Sequence, residues 1–550
     1  MNRKEGKIMA KKLITLFLAL IMMFSLLACN NSSEDSTTSQ TPTPTATSTP
    51  EGTDPTEAPD NSEFKLPIVD DKVTFTIWAG APSVQTGMMS NDESMGVQEV
   101  ESLTNVHIDW HHVASGQEAE QFNLIIVSQE LPDSFYGGTD MYIGGLDKFI
   151  EDDFIINIKD IAEKVSPNYL SVRTIDEQTD RDTKTDTGNW PGFYRIKKTI
   201  QPTWLGPATR LDLLKKYNIE KPRTYDQFEE MLFTFKNEST VTQPLAINNI
   251  GLDETFMAGF GVKNGFIVVD GKVQYGPALP GFGEYIKKMA DWYSKGLIDV
   301  DFYTRGFILE SDQTATGKIT TWNTVYTFFH TTEVNAEIEG FKLTALTPPT
   351  LNEGDIRPFT INYATTSRLD GMISTVTTSC KDPETFARFM DYFYTEEGSL
   401  YVDYGIEGVS YEYVNGKPTF TDLILSDTSG APIQIWGKYV YNGVAGFYDW
   451  ERELFPTLGE EGIAALTTWD IDFVDTQSMP SVTPTADESR EYSVLFNDIQ
   501  TFIQENVSRF ITGTKPISEL DAFLDQIRNG MNLNRVLEIQ QAALDRYYSR

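Results

Sequence analysis

Two cysteines, Cys29 and Cys380, are all that 550 residues contain. With Cys29 given a terminal role below, no disulfide can form within the chain, and a large domain without covalent staples rests on its core. Histidine is nearly as scarce, with four. His107, Asp109 and His111 alternate along a predicted strand and so share one face. Two imidazoles there could share a zinc ion, but a third protein ligand is missing, and the set reads as a solvated strand face. His112 and His330 stand apart. Basic charge is short as well: Lys and Arg number 44 against 80 Asp and Glu, a net charge of −36. The first 28 residues carry five basic groups and one acidic group, which leaves −40 for the rest. Such a field repels nucleic acid, whose binding needs basic patches, and serves solubility. A Walker loop, a G-x-S-x-G elbow, an H-E-x-x-H pair and a C-x-x-C pair are all absent. Gly259-Phe260-Gly261 reaches Gly265 one residue too late for a dinucleotide fingerprint. No cofactor is called for, and no metal.

Long apolar runs are limited to one. It spans Leu13–Leu27, follows Lys11-Lys12 and precedes Ala28-Cys29. Its 15 residues are short for a bilayer span and right for the core of a signal peptide. Met9 would give a more compact start than Met1. Leu26-Leu27-Ala28-Cys29 resembles a bacterial lipobox, in which cleavage before the cysteine frees it for lipidation. Residues 1–28 then form the signal peptide, and Cys29 is the lipidated residue. The mature chain is expected on the extracellular face of the cytoplasmic membrane, held there by lipid alone. From Asn30 to about Leu66 the chain is Ser-, Thr- and Pro-rich, with Thr41-Pro42-Thr43-Pro44-Thr45 at its centre. Such a tract cannot bury enough surface to fold and acts as a semi-rigid spacer reaching on the order of 100 Å. That reach suits a thick, Gram-positive cell wall.

Beyond the linker remain about 485 residues, enough for two or three domains of ordinary size. Val73-Thr74-Phe75-Thr76-Ile77-Trp78 alternates like a strand, as does Val106–Val113. Val97–Leu103 and Glu118–Ser128 are read as helices, and Leu131-Pro132-Asp133 as a turn into a further strand at Phe135-Tyr136. This rhythm predicts βαβ units and a parallel sheet covered on both faces, an α/β fold. Further helices are expected at Leu211–Tyr217, Tyr225–Phe235, Gly283–Tyr293 and Pro383–Tyr394, the last with Asp382 as N-cap. Ile517–Tyr548 reads as two helices broken near Asn529-Gly530.

Several segments, in order, resemble bacterial extracellular solute-binding lipoproteins of the oligosaccharide ABC-importer type. They are Gln121-Phe122-Asn123-Leu124 through Leu131-Pro132-Asp133, then Arg210-Leu211-Asp212-Leu213-Leu214-Lys215-Lys216. Tyr404-Gly405-Ile406-Glu407-Gly408 with Tyr411 and Asn415-Gly416-Lys417 follows. Ile511-Thr512-Gly513 through Leu533-Asn534-Arg535 to Ala542-Ala543 and Tyr547 closes the series. The resemblance implies a two-lobed, periplasmic-binding-protein-like fold of type II with the ligand in the cleft. Approximate lobes are 67–198 with 366–440, and 199–365 with 441–550. It further implies an oligosaccharide ligand, ABC permease subunits as partners, a monomer and no catalysis. Relatives often carry a calcium loop after the helix matched by Tyr225–Phe235. Here Lys236-Asn237-Glu238-Ser239-Thr240-Val241 lacks the ladder of oxygen ligands such a loop needs.

Sugars present apolar C–H faces and a rim of hydroxyls, so rings and polar side chains should meet at strand ends. Trp78, Tyr136 and Trp322 end predicted strands. Trp190 and Tyr194 flank Pro191-Gly192, where the chain is expected to cross between lobes. Trp204, Tyr363 and Trp436 complete the candidate ligand-binding set. Asp180, Asp182 and Asp186 read as a mobile acidic loop. Two other functions stay open: a cell-surface polysaccharide hydrolase or lyase, whose carboxylate pair is defined only in space, and a peptide receptor on the same fold.

Overall fold

The computed structural model describes residues 64–550 apart from 83–86, 115, 239, 305–313, 427–434 and 455–457. The export segment, Cys29 and nearly all of the linker lie outside the described residues.

Alternating side chains set the first sheet. β1 (Val73–Gly80) and β2 (Val106–Val113) run parallel, with Val73 opposite Val106 and Gly80 opposite Val113. β3 (Ser134–Phe135) takes the other flank of β1. β4 (Gly192–Lys197) and β5 (Leu205–Arg210) follow each other in sequence yet belong to different sheets. The chain therefore leaves the first lobe between Lys197 and Leu205. β6 (Phe266–Val269) and β7 (Lys272–Tyr275) form a hairpin, and β8 (Thr321–Val325) and β9 (Leu343–Ala345) flank β5 antiparallel. β10 (Leu369–Thr375) returns antiparallel to β4, and a bridge between Tyr136 and Ser374 ties it to the end of β3. β11 (Tyr411–Val414) and β12 (Lys417–Phe420) make the hairpin expected from Asn415-Gly416, both of which take positive φ at its turn. β13 (Phe447–Tyr448) lies parallel to β4. It shares the three-stranded sheet of β4 and β10, distinct from that of β1, β2 and β3.

Helices start where local chemistry satisfies their free N–H groups. Thr224 and Thr485 each form a capping box, with Gln227 and Glu488. The Asp382 carboxylate accepts from the Thr385 N–H, with Pro383 at the first helical position. Each such cap contributes about 1 kcal/mol. Phe75, Ile77 and Ala79 of β1 enter the main core with Val97, Val100, Phe386 and Phe389. A second core is mainly helical, built from Tyr225–Phe235, Pro280–Ser294, Ala486–Ile511 and the residues up to Val536. Burying each large apolar side chain there contributes about 1.5–3 kcal/mol. A third, smaller cluster gathers Trp78, Phe122, Phe135 and Phe149 on the opposite face of β1. No helix among the described residues is long and apolar enough to cross a membrane.

Candidate ligand-binding site

Between the lobes lies a cavity of about 960 Å³, at the upper end of the range for ligand pockets. Its first-lobe wall is the helix Gly145–Glu151 together with segment 178–187. Tyr194 of β4 and Leu369 and Gly371 of β10 form its floor. The facing wall is segment 475–487 and the end of the helix Leu533–Tyr547, continued by Tyr548 and Arg550. Segment 475–487 is fixed to the second lobe: the Val268 N–H donates to the Gln477 carbonyl at 2.9 Å, and the Thr360 N–H to Ser478 Oγ at 2.9 Å.

The two walls touch at a pair of glycines. Gly144 and Gly145 both have positive φ, 102° and 73°, where L side chains are strained. A Cβ at Gly144 would stand 2.7 Å from the Ala486 Cβ, and one at Gly145 2.6 Å from Thr483 Cγ2. Only hydrogen fits at this seam.

The acidic segment is part helix and part turn, and each of its three aspartates is bonded. Asp176 caps a short helix, Glu177–Asp182, and the chain then turns back along the cavity. Asp180 pairs with Arg173 at 3.0 Å and with Lys184 at 2.5 Å. Asp182 accepts from the Ser367 and Tyr547 hydroxyls, both at 2.6 Å. Asp186 receives Arg546 and Arg550, both at 2.7 Å. Arg181 and Arg550 lie over the Tyr547 ring at 5.5 and 5.0 Å, a geometry that adds cation–π attraction. Three residues of the second lobe thus hold three carboxylate contacts on the first. Burial, then the bond to Asp182, pushes the Tyr547 phenol above its ordinary pKa. Burial opposes the charge on Arg546, but its bonds to Glu488 and Asp186 prevail and raise its pKa.

On the opposite face of β4 stands a second polar cluster. Arg195 pairs with Asp370 at 3.3 Å and lies over the Tyr448 ring at 4.0 Å, and the Tyr448 hydroxyl donates to Asp370 at 3.0 Å. Deeper in, Asp403 takes Arg452 at 2.7 Å and Lys198 at 3.1 Å.

Of the eight candidate rings, Tyr194 lines the cavity. Trp78 and Trp322 are 3% and 4% exposed and sit in cores, because Phe122 and Phe135 cover the first and the second pairs with Ala208 inside the β5–β8 ladder. Trp190 is buried under the Arg173 guanidinium, 3.8 Å from its ring centre. Tyr136 and Trp436 join the second cluster: burial raises the Tyr136 pKa in the field of Arg195, and Arg452 lies over the Trp436 ring. Trp204 is half-buried at the crossing from β4 to β5 and packs against the main core. Tyr363 is 71% exposed. It follows Asn362, which is anchored to Thr255 and Glu254, and both residues take positive φ. Such strained non-glycine backbone cost is borne mostly at functional sites. Ala364, next in the chain, lines the cavity. Sequence reasoning missed Tyr547, Tyr548 and the Arg546–Arg550 pair, whose partners lie some 360 residues away.

After the helix Tyr225–Phe235, Glu238 accepts from Lys216 and Tyr217. His107 lies 2.8 Å from Glu101, and among the described residues no group of three or more His, Cys, Asp or Glu could hold a metal ion.

Two lobes joined by repeated crossings, parallel strands extended by an antiparallel returning strand, and a polar cavity between them define a two-lobed solute-binding fold. Comparison with known proteins agrees. The chain is homologous to the fructooligosaccharide ABC transporter substrate-binding protein FusA of Streptococcus pneumoniae, 23% identical over 501 residues that cover 83% of this chain and 87% of that one. It is also homologous to lipoprotein LipO of Bacillus subtilis, 23% identical over 250 residues, 42% of this chain and 46% of LipO. Among solved structures, alginate-binding protein AlgQ2 superposes with a TM-score of 0.68 at 22% identity, covering 87% of this chain and 99% of that one. A solute-binding protein from Bifidobacterium longum infantis superposes with a TM-score of 0.69 at 14% identity over the same shares. No family model matches the chain.

Proposed function

We propose that this chain is the extracellular, lipid-anchored receptor of an ABC importer, which captures an oligosaccharide between its lobes and delivers it intact to the permease. The observation that carries this reading is the large, polar, ring-bearing cavity between the lobes. Homology to FusA over most of both chains supports it. FusA has been solved with kestose bound, and that structure superposes with a TM-score of 0.66 at 19% identity. Closure brings both walls onto the ligand at once, which is how a hinged receptor converts binding into a signal its permease can read. Tyr548 in the lining and Tyr363 beside it supply the exposed ring faces, each stacking for about 1 kcal/mol beyond its burial, while Tyr194 and Tyr547 are buried and offer their hydroxyl edges. Ser367 and neighbouring threonines supply the hydroxyls.

The test is a thermal-shift and titration screen of the protein against neutral and charged oligosaccharides, kestose included, with amino acids and peptides as controls. Ligand at 100 times its dissociation constant stabilises the fold by about 2.7 kcal/mol. A shift with one glycan class and recovery of that glycan unchanged is expected. Shortened product would replace the reading with a hydrolase or lyase, and a response to peptides alone would replace the sugar. Tyr363→Ala should weaken glycan binding about fivefold with an unchanged melting temperature. Cys29→Ser should release the protein into the medium; retention at the membrane would refute the lipid anchor.

A further inference from the structure

We infer that the cavity selects uncharged glycans and turns away uronic acids. The inference rests on the proposal that the cavity binds sugar, and it concerns the charge that sugar carries.

Six cations line the cavity: Lys148, Arg181, Lys184, Lys263, Arg546 and Arg550. Five of them are engaged by carboxylates of the protein itself. Lys148 is 2.5 Å from Asp152, Arg181 is 2.5 Å from Glu177, and Lys184 is 2.5 Å from Asp180. Arg546 is shared by Asp186 and Glu488, and Arg550 is held by Asp186. Lys263 donates to the Thr360 carbonyl at 2.6 Å and to its hydroxyl at 3.1 Å, in the field of Glu254.

Carboxylates in the same lining are as numerous as the cations: Asp147, Glu151, Asp182, Asp186, Asp475 and Asp487. The partners Asp152, Glu177, Asp180 and Glu488 stand directly behind it, so the surroundings are net negative. At five of the six cations a sugar carboxylate must compete with a carboxylate of the protein and then sit beside the acid it displaces. Fixed charge of one sign in a low-dielectric cleft repels like charge over the whole approach.

Hydroxyls meet the opposite reception. Asp182 is satisfied by two hydroxyl donors, Ser367 and Tyr547, and Asp147 by the Thr187 hydroxyl and the Asn189 amide. Neither carboxylate has an ion-pair partner among the described residues. Both already work as acceptors for neutral donors, the task that binding a sugar hydroxyl requires. A neutral glycan uses this arrangement without disturbing any ion pair.

The experiment titrates the protein with size-matched hexasaccharides: neutral maltohexaose, xylohexaose and an inulin-type fructan, and anionic hexagalacturonate and oligomannuronate. At 0.15 M salt the best neutral glycan is expected to bind at least 30-fold tighter than any uronate. The gap should narrow in 1 M salt, where the Debye length falls from about 8 to about 3 Å. In Asp147→Asn the ratio should move toward the uronates by severalfold. A uronate oligomer that binds tightest would overturn the charge selection while the sugar reading stands. Silence from every glycan would overturn both.

Discussion

Asp253 and Asp182 are both carboxylates without an ion-pair partner among the described residues, but they are satisfied in opposite ways. Asp253 lies inside the second lobe, fully buried. Its oxygens accept from Asn323 Nδ2 at 2.9 Å and from the Asn248 and Thr255 N–H groups at 3.1 Å. All of these donors are neutral and belong to its own lobe. Asp182 and its neighbour Asp186 lie where the lobes meet, and side chains of the other lobe engage both. An acid with no route to water must keep its donors through every motion, so they are built into the same body. An acid at a seam can trade a partner for water when the lobes part, and a salt bridge or hydroxyl there costs little to break. Interior groups should therefore govern stability, and seam groups closure.

The largest separation is expected from the tryptophans. Trp78→Ala and Trp322→Ala should each cost about 3–5 kcal/mol of unfolding free energy, read from denaturant titration. Asp253→Ala comes next, at about 3 kcal/mol, since it strands Asn323 and two backbone donors. Burial raises the Asp253 pKa from the ordinary 3.8 to about 6. The folded state therefore holds that proton more tightly than the unfolded chain. The stability it contributes is complete below about pH 3.8 and lost as the pH rises through about 6. Asp253→Asn should remove that slope from the pH–stability curve.

At the seam, Arg546→Ala and Asp186→Asn should couple by about 1 kcal/mol in a double-mutant cycle. Their signature is an ensemble whose small-angle scattering shows a larger radius of gyration without ligand. If the pair moved melting temperature and left the scattering unchanged, the division between interior and seam would fail. Smallest of all is Arg535–Glu491, an exposed pair on the helices Leu533–Tyr547 and Ala486–Ile511. Arg535→Ala should leave both readouts unchanged.

Local pattern was enough for much of the fold. The reading of β2 and of the helices Glu118–Ser128 and Tyr225–Phe235 coincides with the structure at both ends. Alternation, helical periodicity and caps are properties of neighbours in sequence, and so they were visible there. The site was harder because exposure is decided by what packs from afar. Trp78 does end a strand beside a glycine, but Phe122 and Phe135 close over it. The aspartates at 180, 182 and 186 look unpaired in sequence because the residues that bind two of them lie at the far end of the chain. Tyr547 entered only as part of a closing motif, with nothing local to mark it as a wall.

The glycine pair at the seam gives the experimenter a mechanical handle. Because Gly145 leaves room for a hydrogen and nothing larger against Thr483, a methyl group there should act as a doorstop, propping the jaws ajar at a residue outside the cavity lining. Fluorophores placed on either jaw should then report closure of the native protein and stay dark in the propped one, which turns a missing side chain into the control channel of a closure sensor.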